Sequence, residues 1–143
     1  MRVLLVHGPN LNRLGRRDPK MYGTVTLAEI VSAVTDAARG HGGEVVAFQS
    51  NHEGALIDWL QAEAPAAQAV IINPGGLSHT SVALRDALED TRCRVVEVHI
   101  SNPQAREPFR HQLITATAAE KMISGKGLQG YLEAVEFLAS TTR

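Results

Sequence analysis

Glu97 and His99 stand two residues apart in Val-Val-Glu-Val-His-Ile, residues 95–100, and Ser101, Asn102, Arg106 and Arg110 follow closely. Side chains alternate faces along a strand, so this spacing puts the carboxylate and the imidazole on one face and Val96, Val98 and Ile100 on the other. A carboxylate holding an imidazole is the arrangement of an oriented general acid or base. His99 ends the apolar run, which in a parallel sheet is the carboxyl end where ligands bind, and Glu97 lies one layer deeper. Pro103 keeps Asn102 extended, and Arg106 and Arg110 are spaced i, i+4, on one side of a helix expected near residues 108–116. The stretch therefore offers an acid or base, its orienter and two cations. Taken alone it also fits a satisfied polar pair followed by a solvated helix face worth little.

Two further loops hold reactive groups. Residues 7–23 are too long for an ordinary strand-to-helix connection and too charged to pack, and long loops at the ligand end of a sheet are usually functional. Asn10 and Asn12 supply hydrogen bonds, Arg13, Arg16, Arg17 and Lys20 supply charge, and Tyr22 precedes Gly23, so a cationic lid is expected, with a solvated loop as the bland alternative. The glycine pattern of a phosphate loop is absent. Residues 73–81 read Asn-Pro-Gly-Gly-Leu-Ser-His-Thr-Ser, in which Gly75 and Gly76 let the backbone approach a ligand and Ser78 or Thr80 would cap a helix whose amides face an anion. Asn73 and His79 bracket that loop. Residues 49–54, Gln-Ser-Asn-His-Glu-Gly, suit a supporting or subunit-contact role, with Asn51 as a helix cap and Glu53 at the positive end of the helix. His79, His99 and Glu97 are metal-ligand types, but the last two are committed to each other and no second close-spaced pair accompanies them, so no metal is expected.

The elements that must position these groups alternate in type. Strands are predicted over residues 3–6, 44–49, 69–73, 94–100 and 121–124, and helices over 27–40 with Thr26 as cap, 53–64, 80–91, 108–116 and 128–140. Such alternation implies an α/β fold with a parallel sheet covered on both faces. Five strands predict a flavodoxin-like three-layer sandwich in the order 2-1-3-4-5, with the loops after strands one and three facing each other across the crevice and the end of strand four beside them. The 143 residues show no linker or repeat, so 1–143 is expected to be one catalytic domain. Fourteen Lys plus Arg against fifteen Asp plus Glu leave a net charge of -1, which points away from nucleic acid and anionic membrane as partners. Cys93 is the one cysteine, excluding an intrachain disulfide framework, and is expected to be a buried inert thiol. No apolar run has the length of a membrane span and no signal-peptide pattern opens the chain, so a cytoplasmic location is expected.

Several stretches together resemble one enzyme family. Gly8-Pro-Asn-Leu-Asn12, Gly15-Arg-Arg-Asp-Pro with Tyr22-Gly23, Gln49-Ser-Asn-His-Glu-Gly54, Gly75-Gly-Leu-Ser-His-Thr-Ser-Val-Ala-Leu-Arg-Asp86, Glu97-Val-His-Ile-Ser-Asn102 and Arg106-Glu-Pro-Phe-Arg-His111 are similar to the type II 3-dehydroquinate dehydratases, in the right order over nearly the whole chain. The resemblance implies a flavodoxin-like enzyme without cofactor or metal, assembled as a dodecamer of trimers, that removes water from 3-dehydroquinate in the shikimate pathway or in quinate breakdown. It makes Tyr22, as tyrosinate, the base that takes the proton alpha to the ketone, with Arg17 favouring the charged form, because an unaided tyrosine at about 10 is too weakly ionised for this work. The enolate is stabilised through a water held near Asn10, and His99, oriented by Glu97, is the general acid for the departing hydroxyl. Asn73, His79, Ile100, Ser101 and Arg110 correspond to substrate binders, Arg110 meeting the carboxylate; Asp86 corresponds to a residue that reaches a neighbouring subunit's site, and Arg106 to support. The chain departs from the family pattern after His111, where Gln112 and Leu113 replace a polar turn and Glu120-Lys121 enter the last strand, which bears on that strand's packing.

Three rival readings stand beside this one. A lysine Schiff base for the same reaction has only Lys20, Lys121 and Lys126 to use, none in a convincingly desolvated position. A flavodoxin-like nucleotide or flavin module predicts phosphate-loop glycines or aromatic clamps, against 4% aromatic residues here. A family member that keeps assembly without activity is opposed by intact Tyr22, Arg17 and His99.

Overall fold

The computed structural model describes residues 1–141, so the last two positions of the expected 1–143 unit lie outside the described residues. Five strands form one parallel sheet: β1 (Arg2–His7), β2 (Glu44–Gln49), β3 (Ala69–Asn73), β4 (Arg94–His99) and β5 (Lys121–Ser124), in the order β2-β1-β3-β4-β5. The three central strands are apolar almost throughout because both of their faces are covered, whereas the edge strands β2 and β5 keep exposed residues. Every expected strand is present, and β5 pairs in register with β4, Val96 beside Lys121 and His99 beside Ser124, so the divergent segment after His111 still delivers the last strand to its place.

The helices are α1 (Pro19–Tyr22), α2 (Leu27–Gly40), α3 (Glu53–Glu63), α4 (Val82–Asp90) and α5 (Leu128–Ser140). One core layer sets Val3, Leu5, Ile71, Val96 and Val98 against Ile30 and Val34 of α2 and Tyr131, Val135 and Leu138 of α5. The other sets Leu4, Val6, Val70 and Ile72 against Leu56 and Leu60 of α3 and Leu84 and Leu88 of α4. Burying each such side chain stabilises the fold by about 1.5–3 kcal/mol, and the alternation along the strands supplies both layers. Among the described residues no helix is long and apolar enough to cross a membrane.

Local expectations fail at three helix starts. Thr26 caps α2 as expected, its Oγ1 accepting from Glu29 N at 3.2 Å, but α4 begins after Ser81, whose Oγ accepts from Leu84 N, while Ser78 instead donates to Gly75 O. α3 follows His52 and not an Asn51 cap; Asn51 Oδ1 accepts from Asn10 N at 2.9 Å and from Gln49 Nε2 at 3.1 Å, steadying the first crevice loop. The helix expected over 108–116 is two 3₁₀ turns, Pro108–Arg110 and Thr115–Ala118. β-Branched Ile114, Thr115 and Thr117 favour helix weakly, so short turns suffice to lead into β5.

Candidate active site

β1, β3 and β4 end together, His7 beside Asn73 across the β1–β3 ladder and Ile72 beside Glu97 across β3–β4, so their last residues form the floor of one crevice. The loops after β1 and β3 pack against each other above it. A Cβ on Gly8 would lie 2.2 Å from Pro74 O, and Gly75, at φ +62°, would place one 2.8 Å from Pro9 O. Gly75 thus serves the contact between the two loops, whereas exposed Gly76 is left on the wall of the crevice. The crevice is a cavity of about 200 Å³ lined by Asn10, Arg17, Tyr22, Asn73, His79, His99, Ile100, Ser101, Arg106 and Arg110 together with Pro9, Leu11, Gly75, Gly76 and Pro103.

The charge of this cavity is one-sided. Three guanidinium groups line it and no carboxylate does, which fits a small anionic ligand. Pockets for drug-sized ligands run to about 300–1,000 Å³, so a flavin or dinucleotide does not fit a space of about 200 Å³. A larger groove of about 800 Å³ lies at the opposite end of the sheet, beside Met1, Val3, Cys93 and Arg94, and holds none of these groups. Cys93 there is half-buried rather than fully buried; burial pushes its thiol up against a lowering bond from Thr91.

Tyr22 ends α1, which Asp18 caps by accepting from Lys20 N at 3.0 Å. Arg17 Nη2 donates to the Tyr22 phenol oxygen at 2.8 Å with its guanidinium 3.8 Å over the ring, and Arg106 Nη1 donates to the same oxygen at 2.9 Å. Guanidinium groups donate only, so an oxygen held by two of them suits the phenolate. Arg106, expected as support, is therefore a direct partner of Tyr22, and its Nη1 also reaches Ser101 Oγ at 3.3 Å. Its backbone is extended at φ -112°, ψ -164°, so loop geometry and not an i, i+4 helical face brings Arg106 and Arg110 to the cavity. Arg110 Nε is held by Glu107 Oε1 at 3.0 Å. Glu107's own backbone amide, and then Arg110, hold its carboxyl below the ordinary range.

On the opposite wall His99 Nε2 donates to Glu97 Oε2 at 2.7 Å, with Glu97 fully buried and His99 only 7% exposed. The other ring nitrogen is not engaged by that bond. His79 Nδ1 donates to Gln112 O at 2.9 Å, which fixes that tautomer. Asn10 sits at φ +72°, a left-handed conformation that asparagine tolerates better than most residues, and this turns the loop into the cavity. Asp86 is exposed on α4, paired with Arg85 at 3.1 Å, and does not line the cavity of its own chain. Asn12, Arg13, Arg16 and Lys20 also stay outside it, and so do Lys121 and Lys126. Among the described residues no cluster of three or more His, Cys, Asp and Glu could hold a metal ion.

Residues 1–139 match the model of the family described as dehydroquinase class II. The chain belongs to that family. A 3-dehydroquinate dehydratase of Roseiflexus castenholzii is 52% identical over 141 residues, which span 99% of this chain and 90% of that one. One from Corynebacterium glutamicum is 52% identical over 139 residues, 97% of this chain and 96% of its own. The crystal structure of the type II dehydroquinase from Propionibacterium acnes superposes with a TM-score of 0.93 at 38% identity, covering 98% of this chain and 97% of that one.

Beneath the cavity lies a polar network that sequence reasoning missed. Asn73 Nδ2 donates to Tyr131 Oη at 3.0 Å, His7 Nε2 lies 3.1 Å from the same hydroxyl, and Asn73 Oδ1 accepts from Gly75 N at 3.1 Å. The signal was there: Tyr131 falls on the apolar stripe of α5, and a buried tyrosine needs a partner for its hydroxyl. Burial pushes the Tyr131 phenol up, partly offset by Asn73, so it is a neutral donor to His7. Burial also lowers the His7 imidazole from 6.5 to about 4. The unfolded chain then binds a proton that the fold refuses, so stability is full above pH 6.5 and falls as pH drops towards 4. The difference of 6.5 minus about 4 amounts to about 3 kcal/mol. Melting temperatures of the protein and of His7→Gln should diverge in slope over this window; parallel slopes would show that His7 does not carry the dependence.

Proposed function

We propose that this chain catalyses the dehydration of 3-dehydroquinate to 3-dehydroshikimate. The observation that carries the reading is the Tyr22 phenol oxygen between two guanidinium donors, in one small cavity with His99 and its carboxylate partner. Tyr22, as phenolate, takes the proton alpha to the ketone; the electron pair of that C–H bond passes into the enolate, stabilised through a water held near Asn10. The enolate then reforms the ketone and expels the beta hydroxyl, which leaves as water on receiving the proton of His99. Arg110 meets the substrate carboxylate, and Asn73, His79, Ile100 and Ser101 hold the ring substituents. None of these steps requires a cofactor or a lysine adduct.

The whole chain, 1–143, serves as one catalytic domain in this reading. It assembles as a dodecamer of trimers in which exposed Asp86 reaches a neighbouring subunit's site, and it works in the cytoplasm. Addition of 3-dehydroquinate to chelator-treated protein should produce the absorbance of the conjugated product. Absence of that signal removes the proposal.

The reading also makes residues 13–20 a lid. Arg13, Arg16 and Lys20 are exposed, and α1 has only four residues to hold them. Trypsin should nick this segment in the free protein, and a substrate analogue that engages Arg17 and Tyr22 should protect it. Equal cutting in both states would contradict closure.

A further inference from the structure

Glu97 is a buried carboxylate with two oxygens to satisfy, and only one of them faces His99. Its Oε2 accepts from His99 Nε2, while Oε1 accepts from Thr115 Oγ1 at 2.5 Å. Both Glu97 and Thr115 have no exposure to solvent, so water does not substitute for either partner. A carboxylate held at one oxygen can still turn about its terminal torsion, which is broad for this side chain. A second donor on the other oxygen fixes its plane and keeps the buried anion compensated.

We propose that Thr115 is a positioning residue of the reaction, acting through Glu97 on His99. It comes from the 3₁₀ turn Thr115–Ala118, 18 residues after Glu97. That segment is itself tied to the site. Ile114 N donates to Ser78 O at 2.7 Å, Gln112 O accepts from His79, and Thr117 Oγ1 accepts from Arg85 Nε at 2.9 Å. The hydroxyl therefore has a fixed place from which to hold the carboxylate. The inference rests on the dehydratase reading for what His99 does, and on geometry alone for how His99 is held.

The test pairs Thr115→Val, which keeps the shape and removes the donor, with Thr115→Ser, which keeps the donor. A hydrogen bond to a buried charged group is stronger than one between neutral groups, so Thr115→Val should lower kcat about 10-fold with KM within about twofold, and Thr115→Ser should retain most of the rate. In a Glu97→Leu background, which leaves Thr115 nothing to bond, the valine should cost nothing further, because its path to His99 is already cut. Low-field proton NMR without substrate should show the imidazole N–H bonded to Glu97 shifting in Thr115→Val and staying in place in Thr115→Ser. Unchanged kcat and resonance in the valine variant would overturn the proposal, as would a serine variant as impaired as the valine or a full extra loss beside Glu97→Leu. Thr115→Ala takes the place of the valine variant if that one does not fold. Because the resonance needs no turnover, a protein inactive on 3-dehydroquinate would remove the function while leaving this test readable.

Discussion

Tyr22→Phe is expected to lower turnover of 3-dehydroquinate by about 10³-fold at every pH, since a positioned general base contributes roughly 10²–10⁴. Such a loss corresponds to about 4 kcal/mol of barrier. Phenylalanine keeps the ring on which the Arg17 guanidinium stacks at 3.8 Å, so the lid and KM should change little. No second tyrosine takes its place. The other tyrosine, Tyr131, is fully buried and pushed up by burial, and it does not line the cavity. Arg17→Ala and Arg106→Ala each remove one of the two donors on the Tyr22 oxygen, so each should move the rising limb of the turnover–pH profile to higher pH, with the double variant moving it further. Arg17→Lys should move it less while losing the planar fork. The decisive measurement is the profile of each arginine variant. A uniform fall without displacement of the limb would make the arginines positioners of lid or substrate, leaving the phenolate without its physical support.

The parts of this site that sequence made legible are those set by strand periodicity. Glu97 and His99 share a face because they are two residues apart, and Asn73 falls beside His7 because both end apolar runs of a parallel sheet. Period and burial decide such positions, and the order β2-β1-β3-β4-β5 is suggested by the count of five strands alternating with helices. Contacts between loops obey no such period. Arg106 lies 84 residues from Tyr22 and reaches it from an extended backbone, and Thr115 reaches Glu97 from a 3₁₀ turn where a regular helix was expected. Gly75 looked like a glycine for ligand approach because its residue type alone does not say which backbone comes near; the neighbour is Pro9. Asp86 carries its assignment only through family resemblance, since in its own chain it lies outside the cavity beside Arg85.

His99→Ala should cost about 10³-fold in kcat, and Glu97→Gln about 10-fold to 100-fold, with KM moved less in both. Alanine removes the proton donor altogether, so departure of the hydroxyl must rely on water. Glutamine leaves the imidazole in place but changes what faces it. The Glu97 carboxylate accepts from both His99 and Thr115, whereas an amide offers one oxygen and one donor group, so one of those two hydrogen bonds must be lost or reversed. If the amide nitrogen turns to His99, Nε2 must accept and can no longer carry a proton, so the imidazolium cannot form and only the neutral ring, a far weaker acid, faces the substrate; if it turns to Thr115, the imidazolium loses its counter-charge. Either outcome slows proton donation without emptying the site. Stability should suffer little, because a neutral residue of the same volume relieves the burial of charge. Steady-state kinetics on both variants, with thermal melts to establish folding, separates the roles. A fully active Glu97→Gln would reduce the pair to architecture, whereas a graded loss, deep for the imidazole and shallower for the carboxylate, is the signature of an acid and the group that aims it.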